Sequence, residues 1–372
     1  MKIQKFEADG FIVNDQFKNV LSNIKNDTEY VFIISTREIN GDIVVDSNNI
    51  KPFAEKFSKF IKKIRKKNKK TIFLLLNSWY KQFEHIFELK EINEVIYIDL
   101  FLYDTHKKLL IEKQSKIVEK YQYNTDRNRF LFLTNKPIAL HRIGLVYKLY
   151  QRDLLKNSDY SFMIHNKFML DKCEETMGLF NNQKFNIRKF HKKVKNSLDL
   201  SFNDKELQKA HTGHYTGIPY DESLFQKCNF QLISETHFDM TVWITEKTWI
   251  SIANKRPFII AAYPGFLKKL KEMGFKTFED YLAVPNYDSI KDDMLRLDAI
   301  VSNVDYWINN IYKYEDEIVR DTDHNFKKFL EIAQKNQKII EDLKNKHNLL
   351  DFNNIINGYE NYEDQIWFKK SK

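Results

Sequence analysis

Residues 225–278 read FQKCNFQLISETHFDMTVWITEKTWISIANKRPFIIAAYPGFLKKLKEMGFKTF, and their pattern decides the fold. Two short runs, FQLIS at 230–234 and PFIIAA at 257–262, have the nearly unbroken apolar character of strands buried on both faces of a parallel sheet. A turn and then a helix-like segment follow each, 246–254 after the first and 265–273 after the second. A short helix is expected near 221–227. Strand and helix in alternation are the rhythm of an α/β domain.

The same alternation extends toward the N-terminus. RFLFLT at 129–134 predicts a strand, and residues 137 to about 155 a helix opened by Pro137, whose missing N–H costs nothing in a first turn. A further strand is expected over 161–165. EYVFIIS (29–35), TIFLLL (71–76) and EVIYID (94–99) predict three more buried parallel strands. Between the first two lies a helix over 52–67 with Phe53, Phe57, Phe60, Ile61 and Ile64 on one face; another is expected over 107–120. The polar, aperiodic YQYNTDRN at 121–128 reads as a link. Residues 171–216 read as a polar insertion with short helices. A long amphipathic helix closes the chain, its face including Phe326, Phe329, Leu330, Ala333, Ile340 and Leu343. The expected organisation is therefore an N-terminal lobe over 1–124, a second lobe over 125–320 carrying the insertion 171–216, and a helix and tail over 321–372. Two α/β lobes place a cleft between the carboxyl ends of two sheets, where helix N-termini and strand-end loops converge.

Composition narrows the class. The chain has 372 residues, 42 % hydrophobic and 15 % aromatic, enough for two cores. Only 9 glycines occur, where ordinary usage would supply about 26. Neither G-x-G-x-x-G nor G-x-x-x-x-G-K-[ST] is present, so bound phosphates must be held by helix N-termini and basic side chains. Cys173 and Cys228 stand far apart and read as reduced thiols. The first residues lack an apolar leader core, and no apolar run approaches the ~18 residues of a membrane span, so a soluble cytoplasmic protein is expected. The net charge of +9 fits either a well-solvated basic surface or an anionic partner.

The chemistry concentrates in two places of residues 225–278. Glu235 follows an apolar run at a strand's end, where a carboxylate is costly unless it is paired or faces a polar cleft. Thr245, Glu246 and Lys247 open a helix, with Thr245 as its cap and Glu246 complementing the dipole. Lys247 opposes that dipole unless an anion such as a diphosphate lies between them. The plainer alternative is ordinary capping, with Lys247 directed into water.

The spacing of S-E-T-x-F, T-E-K-T-W, R-P-F-I-I and P-G-x-L-K-x-L-x-x-x-G-F-x-T-F resembles a family of phage and bacterial glycosyltransferase-like proteins. That family is related to the α-1,3-fucosyltransferases of the GT-B fold. The upstream RFLFLT strand with Asn135-Lys136-Pro137 and His141-Arg142 fits as well, and the resemblance covers roughly 129–283. It implies an α/β chain of two Rossmann-like lobes with an inter-lobe cleft, transferring a sugar from a nucleotide-sugar donor by inversion and without a metal. Carried over by position, Glu246 binds the donor ribose, Lys247 and Arg142 bind its phosphates, and Glu235 lines the donor pocket. The chain departs from the family where Lys136 and Ala139 replace two arginines and where Ile250-Ser251 replaces Lys-Pro.

An inverting transfer needs a carboxylate to take the acceptor's proton. In this architecture it comes from a strand end of the N-terminal lobe. Asp104 and Glu38 lead the candidates, with Asp42, Asp99 and His106 beside them; each also reads as an ordinary solvated loop residue. The basic run from Lys62 to Lys70 (KKIRKKNKK) and the stretch from Arg188 to Lys195 (RKFHKKVK), with its interleaved aromatic, read either as solvated helix surface or as contacts to DNA phosphates. His211 and His214 in HTGHYTG make a poor metal site without Cys or a paired carboxylate. Abundant Asn, Lys, Ile and Phe match an AT-rich genome. With the basic runs, this favours a hydroxymethylated base in phage DNA as acceptor. A surface or lipid-linked glycan is the rival, and an inactive nucleic-acid-binding protein on the same scaffold the non-enzyme alternative.

Overall fold

The computed structural model describes residues 3–8, 30–35, 59, 62–63, 66, 70–75, 94–97, 99, 102, 105–106, 120–124, 130–134, 139–162, 167–181, 186–194, 222–239 and 242–347. Most of the expected helices over 52–67 and 107–120, Pro137, and residues 195–221 lie outside this set. The chain is α/β and forms two compact units: Met1–Tyr103 with Ala333–Asn353, and Asp104–Ile332 with Asn354–Lys372.

The first unit is built on four parallel strands in the order β1-β2-β3-β4: Ile3–Ala8, Tyr30–Ser35, Lys70–Leu75 and Glu94–Tyr97. Ile3 pairs with Tyr30, Tyr30 with Lys70 and Ile72 with Glu94. Strand β1 was not expected. Its sequence, IQKFEA, interleaves polar and apolar residues and lacks the continuous apolar run that marks the other three.

The second unit carries a parallel sheet in the order β6-β5-β7-β8, formed by Phe130–Thr134 (β5), Ser158–Phe162 (β6), Phe230–Ser234 (β7) and Phe258–Ala261 (β8). This order is compatible with a Rossmann-like sheet. Helix α1 (Leu140–Gln151) follows β5. α2 (Lys167–Asn181) and α3 (Ile187–Val194) follow β6, and α4 (Glu222–Gln226) precedes β7. α5 (Glu246–Ala253) joins β7 to β8, and α6 (Phe266–Glu272) follows β8. α7 (Asp293–Asn310) and α8 (Glu315–His347) follow, and α8 from Ala333 onward belongs to the first unit. α7, unforeseen in sequence, supplies much of the core: Leu297, Ile300, Val301, Val304 and Trp307 are fully buried.

Strand β6 starts three residues before the expected 161–165. Its buried serines explain the shift. Ser158 donates to the Leu155 carbonyl at 2.7 Å, and Ser161 Oγ accepts the Thr134 N–H at 3.0 Å, so buried polar residues occupy this strand without loss. Of the expected face on α8, Phe329, Ala333 and Ile340 are buried and Phe326 and Leu330 half-buried, while the Leu343 side chain is outside the described set.

Three buried asparagines hold the irregular segments of this unit. Asn229 accepts the Asn124 N–H and donates to its carbonyl, at 3.2 and 3.1 Å. Asn303 does the same to Val284, at 2.7 and 3.0 Å, and Asn325 to Lys276, at 2.7 and 2.9 Å. Each side-chain amide acts as a one-residue strand partner, satisfying a donor and an acceptor at once. Gly265 (φ 87°) supplies the left-handed turn that opens α6. Cys173 and Cys228 are free and buried, and burial pushes both thiols up to about 12. Among the described residues no helix is long and apolar enough to cross a membrane.

Candidate functional site

The sheet of the second unit reverses direction at its middle. From β5 the chain moves to β6 on one side; β7 then returns to the other side of β5 and leads on to β8. Such a reversal leaves a crevice outside the carboxyl ends of the two central strands. Here β5 and β7 share two register pairs, Phe130 with Phe230 and Leu131 with Gln231. Toward its end β5 keeps pairing with β6 as far as Thr134, and β7 with β8 as far as Ser234. The residues that follow these two strand ends include most of those singled out in the sequence.

On the β7 side, Glu235 is fully buried. Its Oε1 accepts the Thr245 N–H at 3.2 Å and the Thr248 hydroxyl at 2.6 Å; its Oε2 accepts the Thr245 hydroxyl at 2.6 Å. Of the two situations that make such a carboxylate tolerable, pairing or a polar cleft, the side chain adopts pairing. It acts as a cap for α5 delivered from a neighbouring strand. Thr245 is also that helix's own N-cap, accepting the Lys247 N–H at 3.4 Å.

Lys247 does not reach into water. Its ammonium lies 3.1 Å from Glu246 Oε1, 3.1 Å from Thr245 Oγ1 and 3.4 Å from Thr236 Oγ1, and only 16 % of the side chain is exposed. The Glu246 carboxylate is 8 % exposed. A cation and an anion thus share the first turn of one helix, the anion favoured by its dipole and the cation held by the anion.

On the β5 side, His141 and Arg142 open α1. The His141 Nε2–H donates to the Glu235 carbonyl at 2.8 Å, which leaves Nδ1 as the unprotonated nitrogen, and an Arg142 Nη2 lies 3.5 Å from the same oxygen. The imidazole stacks on Phe238 at 5.0 Å between ring centroids. Burial, then the Arg142 charge, lowers the His141 pKa to about 3. His237, stacked on Trp243 at 4.9 Å, is also lowered, chiefly by burial. Arg142 and Lys247 push it down as well, while Asp239 pulls it up. Both imidazoles therefore feel both cations, which sit together with the Glu235, Glu246 and Asp239 carboxyl groups in one cluster of ionisable residues.

Arg296 of α7 anchors the base of this cluster. Its guanidinium lies 3.8 Å from the Phe238 ring centroid and donates to the Phe238 and Ile290 carbonyls, each at 2.7 Å, and to Asp293 at 2.6 Å. Nothing in the sequence marked Arg296, because a buried arginine on an amphipathic helix looks like a surface residue. Thr236 and Phe238 belong to the S-E-T-x-F spacing, whereas His237 fills its unspecified position and was not marked.

Other candidates fall elsewhere. Glu38, Asp42, Asp104, His211 and His214 lie outside the described residues, as do Asn135, Lys136 and Pro137. Asp99 accepts the Leu102 N–H at 3.0 Å, a local capping bond. His106 is buried and lowered by that burial, with Phe329 at 6.2 Å. Among the described residues no group of three or more His, Cys, Asp and Glu is placed to hold a metal ion. Lys62, Lys63 and Lys66 are helical and exposed. Arg188, Lys189, Lys192 and Lys193 are exposed along α3, but Phe190 is packed among Tyr147, Tyr150 and Phe162, so the interleaved aromatic of this stretch belongs to the core. Compared with family models, curated proteins and solved structures, the chain matches none of them.

Proposed function

We propose that the chain is a glycosyltransferase of the GT-B kind, akin to the α-1,3-fucosyltransferases, with the donor's nucleoside diphosphate held at the crevice of the second unit. One observation carries the reading: where the sheet order reverses, Arg142 lies 3.5 Å from the carbonyl of Glu235, whose side chain caps the first turn of α5, and that turn carries Glu246 and Lys247. A diphosphate suits this setting because a helix N-terminus and two cations favour an anion there. His141 spends its one N–H on the Glu235 carbonyl, and neutral His237 can offer an N–H without adding charge. Thr134 and Ser234, at the two strand ends, are buried with hydroxyls that find no hydrogen-bond partner among the described residues. Such hydroxyls are costly unless an oxygen or nitrogen ligand satisfies them.

In this reading Glu246 accepts a ribose hydroxyl, and the Lys247 ammonium moves from Glu246 to a phosphate oxygen. An acceptor oxygen attacks the anomeric carbon, the bond from that carbon to the diphosphate breaks, and the diphosphate leaves with the electron pair. Arg142 and Lys247 balance the charge that develops on it. A base takes the acceptor's proton; Asp104 and Glu38 remain the proposed candidates. A hydroxymethylated DNA base is the favoured acceptor, with the exposed Lys62, Lys63 and Lys66 as the candidate phosphate contacts. The test is a thermal-shift screen of nucleotide sugars followed by donor hydrolysis and transfer assays. Binding at a hundredfold excess over Kd adds about 2.7 kcal/mol of stability. A screen in which no nucleotide or nucleotide sugar raises the melting temperature rejects the reading. Transfer to a glycan but not to DNA would keep the enzyme and discard the DNA acceptor.

A further inference from the structure

We infer that Glu235 is a positioning residue that sets the Lys247 ammonium by dictating which way the Thr245 hydroxyl points; the inference deepens the donor-site reading and rests on it for its functional meaning. Three donors converge on the Glu235 carboxylate: the Thr245 N–H, the Thr248 hydroxyl and the Thr245 hydroxyl. A carboxylate only accepts, so the single hydroxyl proton of Thr245 is committed to Glu235 Oε2. The lone pairs of that hydroxyl are then left for the opposite side, where the Lys247 N–H lies at 3.4 Å and its ammonium at 3.1 Å. An ammonium only donates. Its bond to Thr245 therefore exists in this orientation of the hydroxyl and not in the reverse one. Acceptor, hydroxyl and ammonium form a one-way chain whose direction starts at Glu235.

The main chain of the same residue faces the other side of the crevice. Its carbonyl accepts from His141 at 2.8 Å, with Arg142 at 3.5 Å. One residue is thus fastened through its side chain to the start of α5 and through its backbone to the start of α1. Substitution of the side chain leaves the carbonyl bond in place, so the two roles separate experimentally.

Gln at position 235 preserves length and shape but replaces one oxygen with an NH2 group. With that group toward Thr245, the hydroxyl must accept, and its proton turns against the Lys247 donors. With the amide reversed, the NH2 meets the Thr245 N–H. The backbone N–H cannot turn away from that clash whereas the hydroxyl can, so the first orientation is favoured and the link from Thr245 to Lys247 is the one broken. The experiment uses the full chain and two readouts: the NMR resonance of the Lys247 ammonium, which needs no ligand, and calorimetric affinity for ADP, CDP, GDP and UDP. E235Q and T245V should both displace the resonance and weaken the diphosphate that the wild type prefers by about tenfold, as expected for removal of one charge-assisted hydrogen bond. T245S, which restores the hydroxyl, should recover both readouts. T248V removes one bond to Glu235 but leaves the Thr245 hydroxyl donating, so the resonance should stay in place. An unmoved resonance in E235Q, or equal damage from T248V, overturns the inference and reduces Glu235 to a generic helix cap. If E235Q fails to fold, the contrast between T245V and T245S decides the matter with the same readouts. A wild type that binds none of the four diphosphates, with the resonance still displaced in E235Q, defeats the donor-site reading and leaves the positioning role standing.

Discussion

Among the described residues the two sheets have four parallel strands each, yet their orders differ: β1-β2-β3-β4 in the first unit and β6-β5-β7-β8 in the second. A sheet laid down in sequence always adds its next strand on the same side, so no pair of neighbouring strands sends its connections in opposite directions. The second sheet does so once, between β5 and β7. That single change in order creates a crevice at strand ends. His141-Arg142, Glu235 and Glu246-Lys247 all follow those ends. The contrast teaches that chain order within a sheet, more than strand composition, decides where a ligand can be held.

The comparison can be broken most severely at Arg296. It fixes Phe238 under the cluster and is itself 1 % exposed, so Arg296→Ala strands the Asp293 carboxylate and three carbonyls. A loss of about 3–5 kcal/mol is expected in chemical denaturation. A loss below about 1 kcal/mol would mean that Phe238 is held in other ways.

A second effect is pH dependence. Burial lowers the His141 pKa from 6.5 to about 3. Between those values the unfolded chain binds a proton that the folded one does not, so stability is complete above pH 6.5 and declines as pH falls. The slope from this residue is at most about 1.4 kcal/mol per pH unit. His141→Asn should flatten the decline between pH 6.5 and 4; an unchanged slope would show that other groups dominate acid unfolding.

Binding comes next in size. Glu246→Ala and Lys247→Ala should each cost roughly 1.5–3 kcal/mol of donor affinity while shifting stability by only roughly 0.3–1 kcal/mol. Arg142→Lys should impair binding nearly as badly as Arg142→Ala, because an ammonium cannot reproduce the two parallel bonds of a guanidinium to phosphate. Donor affinity indifferent to all of these would leave the switch point without a ligand.

The smallest effects belong to the first unit. Replacing Lys62, Lys63 and Lys66 with Gln should alter stability within about 0.5 kcal/mol per site, as for other exposed residues. If DNA is the acceptor, the same changes lower the salt dependence of DNA binding by roughly 0.9 for each phosphate no longer neutralised, with donor hydrolysis intact. A wild type that ignores DNA at low ionic strength would return these lysines to plain solvation.

Legibility in the sequence followed the chemistry of burial. Strands β5, β7 and β8 were readable to within a residue because their residues are almost all apolar and buried. β6 was displaced because Ser158 and Ser161 are interior residues satisfied by hydrogen bonds that no periodicity reveals. α7 escaped notice because Arg296 and Asn303 stand on its buried face, blurring the apolar stripe. In the site, Thr245 as cap and Glu246 with Lys247 in one turn were visible as neighbours in the chain. The partners of Glu235 were not, since Thr248 lies 13 positions away and the link depends on how β7 meets α5.

The three asparagine clamps give the second unit a chemical lifetime distinct from its thermodynamic stability. Hydrolysis of one side-chain amide turns Asn229, Asn303 or Asn325 into aspartate, exchanging an NH2 group for an anionic oxygen that then faces the carbonyl of Asn124, Val284 or Lys276. Attraction becomes repulsion through the exchange of a single group. Amide residues are thermolabile, so each clamp is a point at which ageing would release the segment it holds.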